Sequence, residues 1–282
     1  MKFIEAYRLG LKTLKDHKIE NAEFDNRIIF NDCFDMDRTQ LAIKGENQVD
    51  KHDETRFFDC INARTRGEPL QYIVGEWEFM GLDFFVGTGV LIPREETQLL
   101  VETVIDYLNQ DDNSKKVVFD LCSGTGCIGI SVAKSCKNVE VYLIEKSPKA
   151  LHYLRKNVEL HKLDNIKIIE ADITKEFQNL NLPSPNVIVS NPPYIKSEEI
   201  NTLQTEVQFE PKMALDGGED GLHFYRVIQE KWIPFLSEKS MLAIEIGDSQ
   251  EKEVIDIFKN NFDYLDKKID FSGITRVIIG KN

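Results

Sequence analysis

The stretch Val117-Val-Phe-Asp-Leu-Cys-Ser-Gly-Thr-Gly126 joins an apolar run to a glycine-rich turn, and a helix-like stretch, Ile128–Cys136, follows it. Glycine lets the backbone turn tightly and approach a ligand closely, and the helix that follows presents free N–H groups at its start. The glycine spacing differs from that of G-x-G-x-x-G dinucleotide sites, and no lysine follows as in a phosphate-binding loop. These residues predict a strand, a ligand-binding loop and a helix.

Strand-like and helix-like runs alternate along the chain from residue 115 onward. The strand-like runs are Val117–Leu121, Val139–Ile144, Ile166–Glu170, Val187–Ser190, Met241–Ile246, Tyr264–Ile269 and Thr275–Ile279. With helix-like stretches such as Gly221–Phe235 among them, they predict an α/β fold with a Rossmann-like, mostly parallel seven-stranded sheet. The last two runs are separated only by the short turn Asp270–Gly273, so we expect the last strand to be antiparallel. Such sheets bind ligands beyond the carboxyl ends of their strands.

The first part of the chain has a different pattern. Apolar positions in residues 1–66 recur at helical spacing, and we expect Phe57 and Phe58 in the core of a small helical bundle. Two strand-like runs, Gly75–Phe79 and Leu82–Val86, predict a β-hairpin. We therefore predict three parts: a helical domain over residues 1–72, a hairpin linker over 73–92 and an α/β domain over 93–282.

The composition limits the classes of protein. Of 282 residues, 35 are lysine or arginine and 48 are aspartate or glutamate, which gives a formal net charge of −13. Nucleic-acid binding needs clustered positive charge, so we expect no direct nucleic-acid partner. No apolar run approaches the ~20 residues of a membrane span and no secretory signal opens the chain, so we expect a cytoplasmic protein without membrane contact. Five cysteines without a C-x-x-C pair indicate reduced thiols and no metal.

Two acidic residues indicate which ligand the glycine-rich turn binds. Asp120 lies on the first strand, where a carboxylate favours a ligand that presents a cation rather than a pyrophosphate. Glu145 ends the second strand about 20 residues further on, where a carboxylate can accept both hydroxyls of a ribose. A ribose-bearing, positively charged ligand suits both residues. We predict S-adenosylmethionine as the cofactor, with S-adenosylhomocysteine as its product.

A second motif, Ser190-Asn-Pro-Pro-Tyr194, follows the fourth strand-like run. Two successive prolines fix the backbone and remove two N–H donors, so the Asn191 side chain and nearby carbonyls remain as acceptors. Tyr194 supplies a flat aromatic face. Such a site would hold a planar NH2 group by two hydrogen bonds and by stacking, and would aim its nitrogen at a methyl donor. The motif therefore predicts methylation of an amide or of an exocyclic amine.

At these motifs the chain resembles the HemK/PrmC family of S-adenosylmethionine-dependent methyltransferases, and the resemblance covers most of its length. It rests on Arg66-Gly-Glu-Pro-Leu-Gln-Tyr-Ile73, Val90-Leu-Ile-Pro-Arg94 with Glu96-Thr97, Asp120 to Gly126, Ser190 to Tyr194, Glu210-Pro-x-x-Ala-Leu215, Glu245-Ile-Gly247 and Gly273-x-x-Arg276. The I-P-R and E-P-x-x-A-L segments single out this family. Its members methylate the amide nitrogen (N5) of the glutamine in the Gly-Gly-Gln loop of class-I peptide chain release factors.

The resemblance implies roles for individual residues. The cofactor-binding residues would be Asp120, Cys122, Ser123, Gly124, Thr125, Gly126, Glu145, Asp172, Ile173 and Asn191. The substrate-binding residues would be Asn191, Pro192, Pro193 and Tyr194, with Asn191, Pro192 and Tyr194 catalytic. Two positions depart from the family pattern. Cys122 stands where many methyltransferases have a glycine, and Ile173 where some relatives have an aromatic residue, so we expect aliphatic packing against adenine.

These inferences predict a monomeric release-factor glutamine methyltransferase that modulates translation termination, with the helical domain positioning the release factor. Three alternatives stay open: the same chemistry on a glutamine of a ribosomal protein, an amino-methyltransferase acting on adenine or guanine in nucleic acid, and a catalytically silent adaptor. We expect Arg64, Arg66 and Arg94 to form structural ion pairs rather than to contact the substrate.

Overall fold

The computed structural model describes residues 1–110, 114–175 and 181–282. These residues form two units: Met1–Glu76 with Gln204–Phe209, and Trp77–Leu203 with Glu210–Asn282. The first unit thus includes a short segment, residues 204–209, that lies within the predicted C-terminal domain.

The first unit is helical, as the apolar spacing predicts. Its helices are α1 (Phe3–Asp16), α2 (Ala22–Phe34), α3 (Arg38–Lys44), α4 (Lys51–Thr65), α5 (Leu70–Val74) and α9 (Thr205–Gln208). Phe57 of α4 is fully buried, and its ring centroid lies 5.6 Å from that of Phe30 on α2. Phe58 is only half-buried, with its ring 5.1 Å from Phe57. Short helices are marginal alone, so this aromatic packing stabilises the unit.

Arg64 of α4 is buried in the first unit and is paired on two sides. Its Nε donates to Asp25 of α2 at 2.6 Å, and its Nη2 donates to Glu206 of α9. A buried guanidinium needs such partners because an unpaired buried charge is costly. The structural ion pair expected for Arg64 is therefore present, whereas Arg66 has no ionic partner among the described residues.

A β-hairpin follows helix α5, as the sequence predicts. Its strands are β1 (Glu76–Phe79) and β2 (Leu82–Phe85). Between them, Met80 and Gly81 have φ values of 53° and 74°. These left-handed conformations are the ones that a two-residue hairpin turn requires.

A seven-stranded sheet forms the centre of the second unit. Its strands are β3 (Lys116–Leu121), β4 (Val139–Glu145), β5 (Ile166–Glu170), β6 (Val187–Ser190), β7 (Met241–Glu245), β8 (Tyr264–Ile269) and β9 (Thr275–Lys281). They lie in the order β5-β4-β3-β6-β7-β9-β8. All pairs from β5 to β7 are parallel, and β9 is antiparallel to both of its neighbours. The predicted α/β class and the antiparallel last strand are confirmed.

Helices and apolar clusters lie on both faces of this sheet. The helices of the unit are α6 (Thr97–Leu108), α7 (Cys127–Ser135), α8 (Pro148–His161), α10 (Lys212–Leu215), α11 (His223–Val227) and α12 (Glu251–Phe258). Successive residues of β3 point to opposite faces. Val118 packs with residues of α6 and α7, whereas the Phe119 ring lies 6.1 Å from the ring of Trp232. The central strand is therefore buried on both sides.

One predicted helix, Gly221–Phe235, differs in detail from its prediction. The chain forms α11 only to Val227 and continues as a π turn over Ile228–Trp232 and a 3₁₀ turn over Ile233–Phe235. Pro234 explains part of the change, because a proline has no N–H group to continue the i to i−4 hydrogen bonding of an α-helix.

Candidate functional site

The two predicted motifs follow strands β3 and β6, which are neighbours where the strand order reverses. Leu121 is paired with Ser190, and the Ser190 hydroxyl donates to the Leu121 carbonyl at 2.6 Å. Residues 122–126 are termed the glycine loop and residues 191–194 the proline loop. Both loops therefore leave the sheet side by side at its carboxyl edge.

A cavity of about 890 Å³ lies at this edge. Its lining includes eight of the predicted site residues: Cys122, Ser123, Gly124, Thr125, Glu145, Ile173, Asn191 and Pro193. The lining does not include the other five, which are Asp120, Gly126, Asp172, Pro192 and Tyr194. The structure thus brings residues of both loops to one cavity.

The glycine loop contains three residues with a left-handed backbone. The φ value is 62° at Cys122, 56° at Gly124 and 83° at Gly126. At Gly126 a Cβ atom would lie 2.5 Å from Leu154 Cδ1, so a side chain there would displace the leucine and would also strain the left-handed backbone. Cys122 instead carries a side chain on a backbone that favours glycine. Burial, together with the Glu145 carboxylate, raises the pKa of the Cys122 thiol well above its usual range, so the thiol stays protonated.

Asp120 lies beneath the glycine loop and does not line the cavity. Its side chain is fully buried, and its Oδ2 accepts the N–H of Gly129 in α7 at 3.0 Å. Its Oδ1 has no hydrogen-bond partner within the described residues. Burial raises the pKa of this carboxyl to about 8. Asp120 thus connects β3 to α7 and positions the loop between them, while its contact with the cofactor stays a prediction.

Glu145 ends β4, and its carboxylate faces the glycine loop. Its Oε2 accepts the N–H of Gly124 at 2.9 Å, and its Oε1 accepts those of Lys146 at 2.8 Å and Ser147 at 2.7 Å. A carboxylate has about four acceptor positions, so one position on Oε2 remains. The remaining position can accept a hydrogen bond from one ribose hydroxyl. A second ribose hydroxyl could donate to Glu145 only if the Gly124 N–H gave up its hydrogen bond.

Apolar side chains also line the cavity. Ile173 is 3% exposed and Phe224 of α11 is 8% exposed, and both contribute to its wall. Lys146 Nζ lies 6.0 Å from the Phe224 ring centroid and 3.7 Å from Asp172 Oδ2. The sequence predicts aliphatic packing at Ile173, and no motif indicated the aromatic ring of Phe224. Together the two side chains suit the flat face of a base.

A hydrogen bond to helix α6 holds the Asn191 side chain in place. Its Nδ2 donates to Thr97 Oγ1 at 3.2 Å, and Thr97 is almost fully buried at the start of that helix. Asn191 itself is half-buried and lines the cavity beside Pro193. Because the Asn191 amide nitrogen donates to Thr97, the amide oxygen remains available to accept a hydrogen bond from a planar NH2 group, as the motif predicts.

Tyr194 packs against the turn that follows β7. Its carbonyl accepts Gln250 Nε2 at 3.0 Å, and its ring packs so closely on Gly247 that a Cβ atom there would lie 3.0 Å from Cδ2. The ring is half-buried and outside the cavity lining. Stacking of Tyr194 on a substrate therefore stays a prediction.

Glu245, which ends β7, is a buried carboxylate that no pattern in the sequence predicts. Its side chain is 2% exposed, and its Oε2 has no hydrogen-bond partner among the described residues. Burial raises the pKa of this carboxyl to about 7. Glu245 belongs to a motif quoted for the family resemblance, Glu245-Ile-Gly247, but the motif does not indicate that the carboxylate is buried.

The two segments that single out the family meet in the structure. Arg94 donates to Glu210 Oε1, and the N–H of Ile92 donates to Glu210 Oε2 at 3.0 Å. The Glu210 side chain is almost fully buried, and Pro93, Arg94 and Pro211 line the cavity. The structural ion pair expected for Arg94 is therefore present, and it joins two walls of the cavity.

Within residues 1–110, 114–175 and 181–282, no group of histidine, cysteine, aspartate and glutamate side chains could hold a metal ion. All five cysteines are free thiols. In the described parts of the chain, no helix is both long and apolar enough to cross a membrane.

Known proteins match both parts of the chain. Residues 5–75 match the PrmC N-terminal domain, and residues 95–218 match the methyltransferase small domain. The chain is 37% identical to the release factor glutamine methyltransferase of Clostridium acetobutylicum over 282 residues, which cover 99% of this chain and 98% of that protein. It is 39% identical to the release factor glutamine methyltransferase of Thermodesulfovibrio yellowstonii over 246 residues, 86% and 87% of the two chains.

A solved structure shows the same fold. The chain is similar to the hMettl16 catalytic domain in complex with MAT2A 3'UTR hairpin 6, with a TM-score of 0.57 and 15% sequence identity. The similarity covers 88% of this chain and 93% of the other. At this identity the likeness concerns the fold alone.

Proposed function

This chain belongs to the family of release factor glutamine methyltransferases, and we propose that it methylates the side-chain amide nitrogen (N5) of a glutamine with S-adenosylmethionine as the methyl donor. The target is the glutamine in the Gly-Gly-Gln loop of class-I peptide chain release factors, and its methylation modulates translation termination. The resemblance recognised in the sequence motifs is confirmed at the level of the family. The observation that carries the proposal is that residues of the glycine loop and of the proline loop line the same cavity.

In this proposal the glycine loop and the end of β4 hold the cofactor. The glycine loop encloses the methionine end, the remaining acceptor position of Glu145 takes a ribose hydroxyl, and Ile173 and Phe224 pack on adenine. The number of acceptors on Glu145 and the two apolar side chains in the cavity wall support this arrangement. Bound S-adenosylmethionine supplies an electrophilic sulfonium methyl group.

The proline loop would hold and activate the glutamine amide. This amide is a poor nucleophile because its nitrogen lone pair is delocalised. The Asn191 oxygen and a backbone carbonyl of the loop accept the two N–H groups and orient the nitrogen towards the methyl group. These hydrogen bonds strengthen as the nitrogen gains positive charge, which stabilises the transition state. No strong general base is required, and the released proton passes to water.

The partner in this proposal is a protein. Residues 1–72 help to position the release factor, residues 73–92 form a linker and residues 93–282 carry out catalysis. The net charge of −13 supports a protein substrate over direct nucleic-acid binding. The enzyme acts as a monomer in the cytoplasm, where release factors work.

The test measures transfer of a labelled methyl group from S-adenosylmethionine to separate substrates. These are a purified release factor, the same factor with the glutamine of its Gly-Gly-Gln loop changed to alanine, ribosomal proteins, and adenine-containing RNA and DNA. Label on the unmodified release factor alone is the expected result. Label on another substrate would reassign the target, and absence of label from all of them would favour the adaptor.

A further inference from the structure

A buried asparagine of helix α8, Asn157, belongs to none of the motifs quoted above. Its side chain is fully buried, and its Nδ2 donates to the Thr125 carbonyl at 2.9 Å and to the Phe85 carbonyl at 3.1 Å. Its Oδ1 accepts the Phe85 N–H at 2.7 Å. Thr125 belongs to the glycine loop and Phe85 ends β2. One side chain therefore joins the β-hairpin to the glycine loop.

Other side chains of α8 contact the residues that follow β2. Lys149, Tyr153 and Asn157 recur at intervals of four, so they lie on one face of the helix. A Cβ atom on Gly87 would lie 2.2 Å from the Tyr153 hydroxyl oxygen, and one on Gly89 would lie 2.5 Å from Lys149 Cδ. The backbone at both glycines is thus packed directly against this face of α8.

The chain that leaves β2 goes on to line the cavity. Residues 89–92, termed the wall segment, line it together with the glycine loop. The two come close where a Cβ atom on Gly124 would lie 4.0 Å from Val90 Cγ2. The bonds that the glycine loop makes to Asp120 and Glu145 do not involve the wall segment. Asn157 is attached to both parts, because it bonds to the glycine loop and to the residue that precedes the wall segment by a few positions.

We propose that Asn157 is a positioning residue, which holds the wall segment in place relative to the glycine loop and thereby controls the affinity for S-adenosylmethionine. This inference rests on the proposed function, because it assigns a role within the proposed cofactor site. A binding site keeps its geometry only when buried contacts support the residues that line it. Asn157 gives such support from outside the cavity lining.

Two substitutions separate the hydrogen bonds of Asn157. Asn157→Leu has a similar size but makes no hydrogen bond, so it removes all three contacts. Asn157→Asp keeps an oxygen that can accept the Phe85 N–H, but an ionised carboxylate has no hydrogen to donate to either carbonyl. Both variants therefore lose the bond to Thr125, and only Asn157→Leu also loses the bond from the Phe85 N–H.

The first test measures binding of S-adenosylmethionine by titration calorimetry, at a temperature at which each variant is folded. We expect the dissociation constant to rise roughly tenfold in both variants, the effect of about one hydrogen bond. At saturating cofactor and release factor, kcat should stay close to the wild-type value, since the proline loop is unchanged. Unchanged cofactor affinity in both folded variants would overturn the inference.

An asparagine of the first unit provides the matched control for a merely structural role. Asn26 of α2 is also fully buried, and its Nδ2 donates to the Tyr7 carbonyl at 3.2 Å. Asn26→Leu should lower the midpoint of thermal unfolding, as Asn157→Leu does, but should leave the cofactor dissociation constant unchanged. An equal loss of cofactor affinity in both variants would mean that affinity follows general stability, and would overturn the inference.

A second variant displaces the chain before the wall segment and leaves Asn157 intact. In Gly87→Ala the added Cβ atom would meet the Tyr153 hydroxyl, so the backbone or the tyrosine must move. Gly87 is outside the cavity lining. We expect a severalfold rise in the cofactor dissociation constant, and this variant decides the question if Asn157→Leu does not fold. Wild-type affinity in Gly87→Ala and in Asn157→Asp would then overturn the inference.

A third measurement needs neither cofactor nor substrate. Hydrogen exchange of the Phe85 amide should be slow in the wild type and in Asn157→Asp, and faster in Asn157→Leu, because only the leucine removes its acceptor. The same exchange rate in the wild type and in Asn157→Leu would overturn the role of Asn157 in holding this part of the chain.

The outcomes distinguish this inference from the proposed function. Wild-type cofactor affinity in the folded Asn157 variants would overturn the inference while methylation of the release factor continued. If the wild type bound S-adenosylmethionine but methylated no release factor, the proposed function would fail. A weaker cofactor affinity in the Asn157 variants would still support the positioning role.

Discussion

The glycine loop and the proline loop leave neighbouring strands and line one cavity, but they are held in place in different ways. Contacts with the ends of the two adjacent strands, β3 and β4, hold the glycine loop. The Gly124 N–H donates to Glu145, and the Ser123 hydroxyl donates to the Asp120 carbonyl at 2.8 Å. Most of the shape of this loop follows from its left-handed residues and from the ends of the two strands beside it.

Side chains from distant parts of the chain hold the proline loop. Asn191 bonds to Thr97 on α6, and the Tyr194 carbonyl accepts from Gln250, which lies just before α12. The prolines restrict the backbone, but they do not determine which way the Asn191 amide faces. Substitutions at the glycine loop should therefore change cofactor binding and stability, and substitutions at the proline loop should change turnover.

The largest expected effect tests the proline loop. Asn191→Ala should lower kcat by roughly 10²–10³-fold, because it removes an acceptor that strengthens its bond in the transition state. The cofactor dissociation constant, measured by calorimetry, should change little. Asn260→Ala, at an exposed asparagine after α12, is the control. Equal losses of turnover and cofactor affinity would remove the distinction between the two loops.

The next effect tests the contact of the glycine loop with β4. Glu145→Gln should raise the cofactor dissociation constant about 10–100-fold, because hydrogen bonds to a carboxylate contribute about 1.5–3 kcal/mol. The value of kcat at saturating cofactor should be nearly preserved. Glu140→Gln on the same strand, where the carboxylate only pairs with Lys115 and Lys167, is the matched control. Unchanged binding in Glu145→Gln would mean that other residues hold the ribose.

A smaller effect concerns the carboxylate beneath the glycine loop. The pKa of Asp120 is raised to about 8 in the folded protein, against about 4 in an unfolded chain, so the folded state binds more protons between these values. The free energy of unfolding should therefore fall as the pH rises from 4 to 8. In urea unfolding, Asp120→Asn should make the decrease in the free energy of unfolding between pH 4 and pH 8 smaller by about 1–3 kcal/mol. Asp266 is exposed, so Asp266→Asn should leave the pH dependence of the wild type unchanged and serves as the control. The same pH dependence in both variants would contradict the prediction.

The smallest effect tests the left-handed backbone of the glycine loop. Cys122→Gly should raise the free energy of unfolding by about 1 kcal/mol, because glycine adopts a φ of 62° without steric cost. Cys127→Gly, in α7, should lower it by a similar amount, about 1 kcal/mol, since glycine weakens helices. Thermal unfolding of both variants measures the two changes in the free energy of unfolding, which should have opposite signs. Destabilisation by Cys122→Gly would mean that the packing of the thiol outweighs the backbone strain.

Much of the second unit could be predicted from local pattern. The predicted strands match the observed ones to within two residues at each end, because buried parallel strands are short continuous apolar runs bounded by turns. The glycine and proline motifs could be placed at the ends of two of these strands for the same reason. Helical spacing likewise predicted the helices of residues 1–66, although Phe58 is less buried than expected.

Several features could not be predicted from pattern. The segment 204–209 belongs with the first unit through the bond between Glu206 and Arg64. Phe224 lines the cavity although no motif marks it. In each case the decisive contact joins residues far apart in the chain. Spacing along one segment carries no information about such contacts.

The order of amino acids was enough to predict the fold class, the family and the residue types of the two loops, because periodicity, glycine and proline act on the neighbouring backbone. The orientation of Asn191 depends instead on its hydrogen bond to Thr97, which forms only when α6 packs against the sheet. A hydrogen bond requires its two atoms to lie within about 3 Å, and the tertiary structure alone fulfils that condition for residues so distant in the chain.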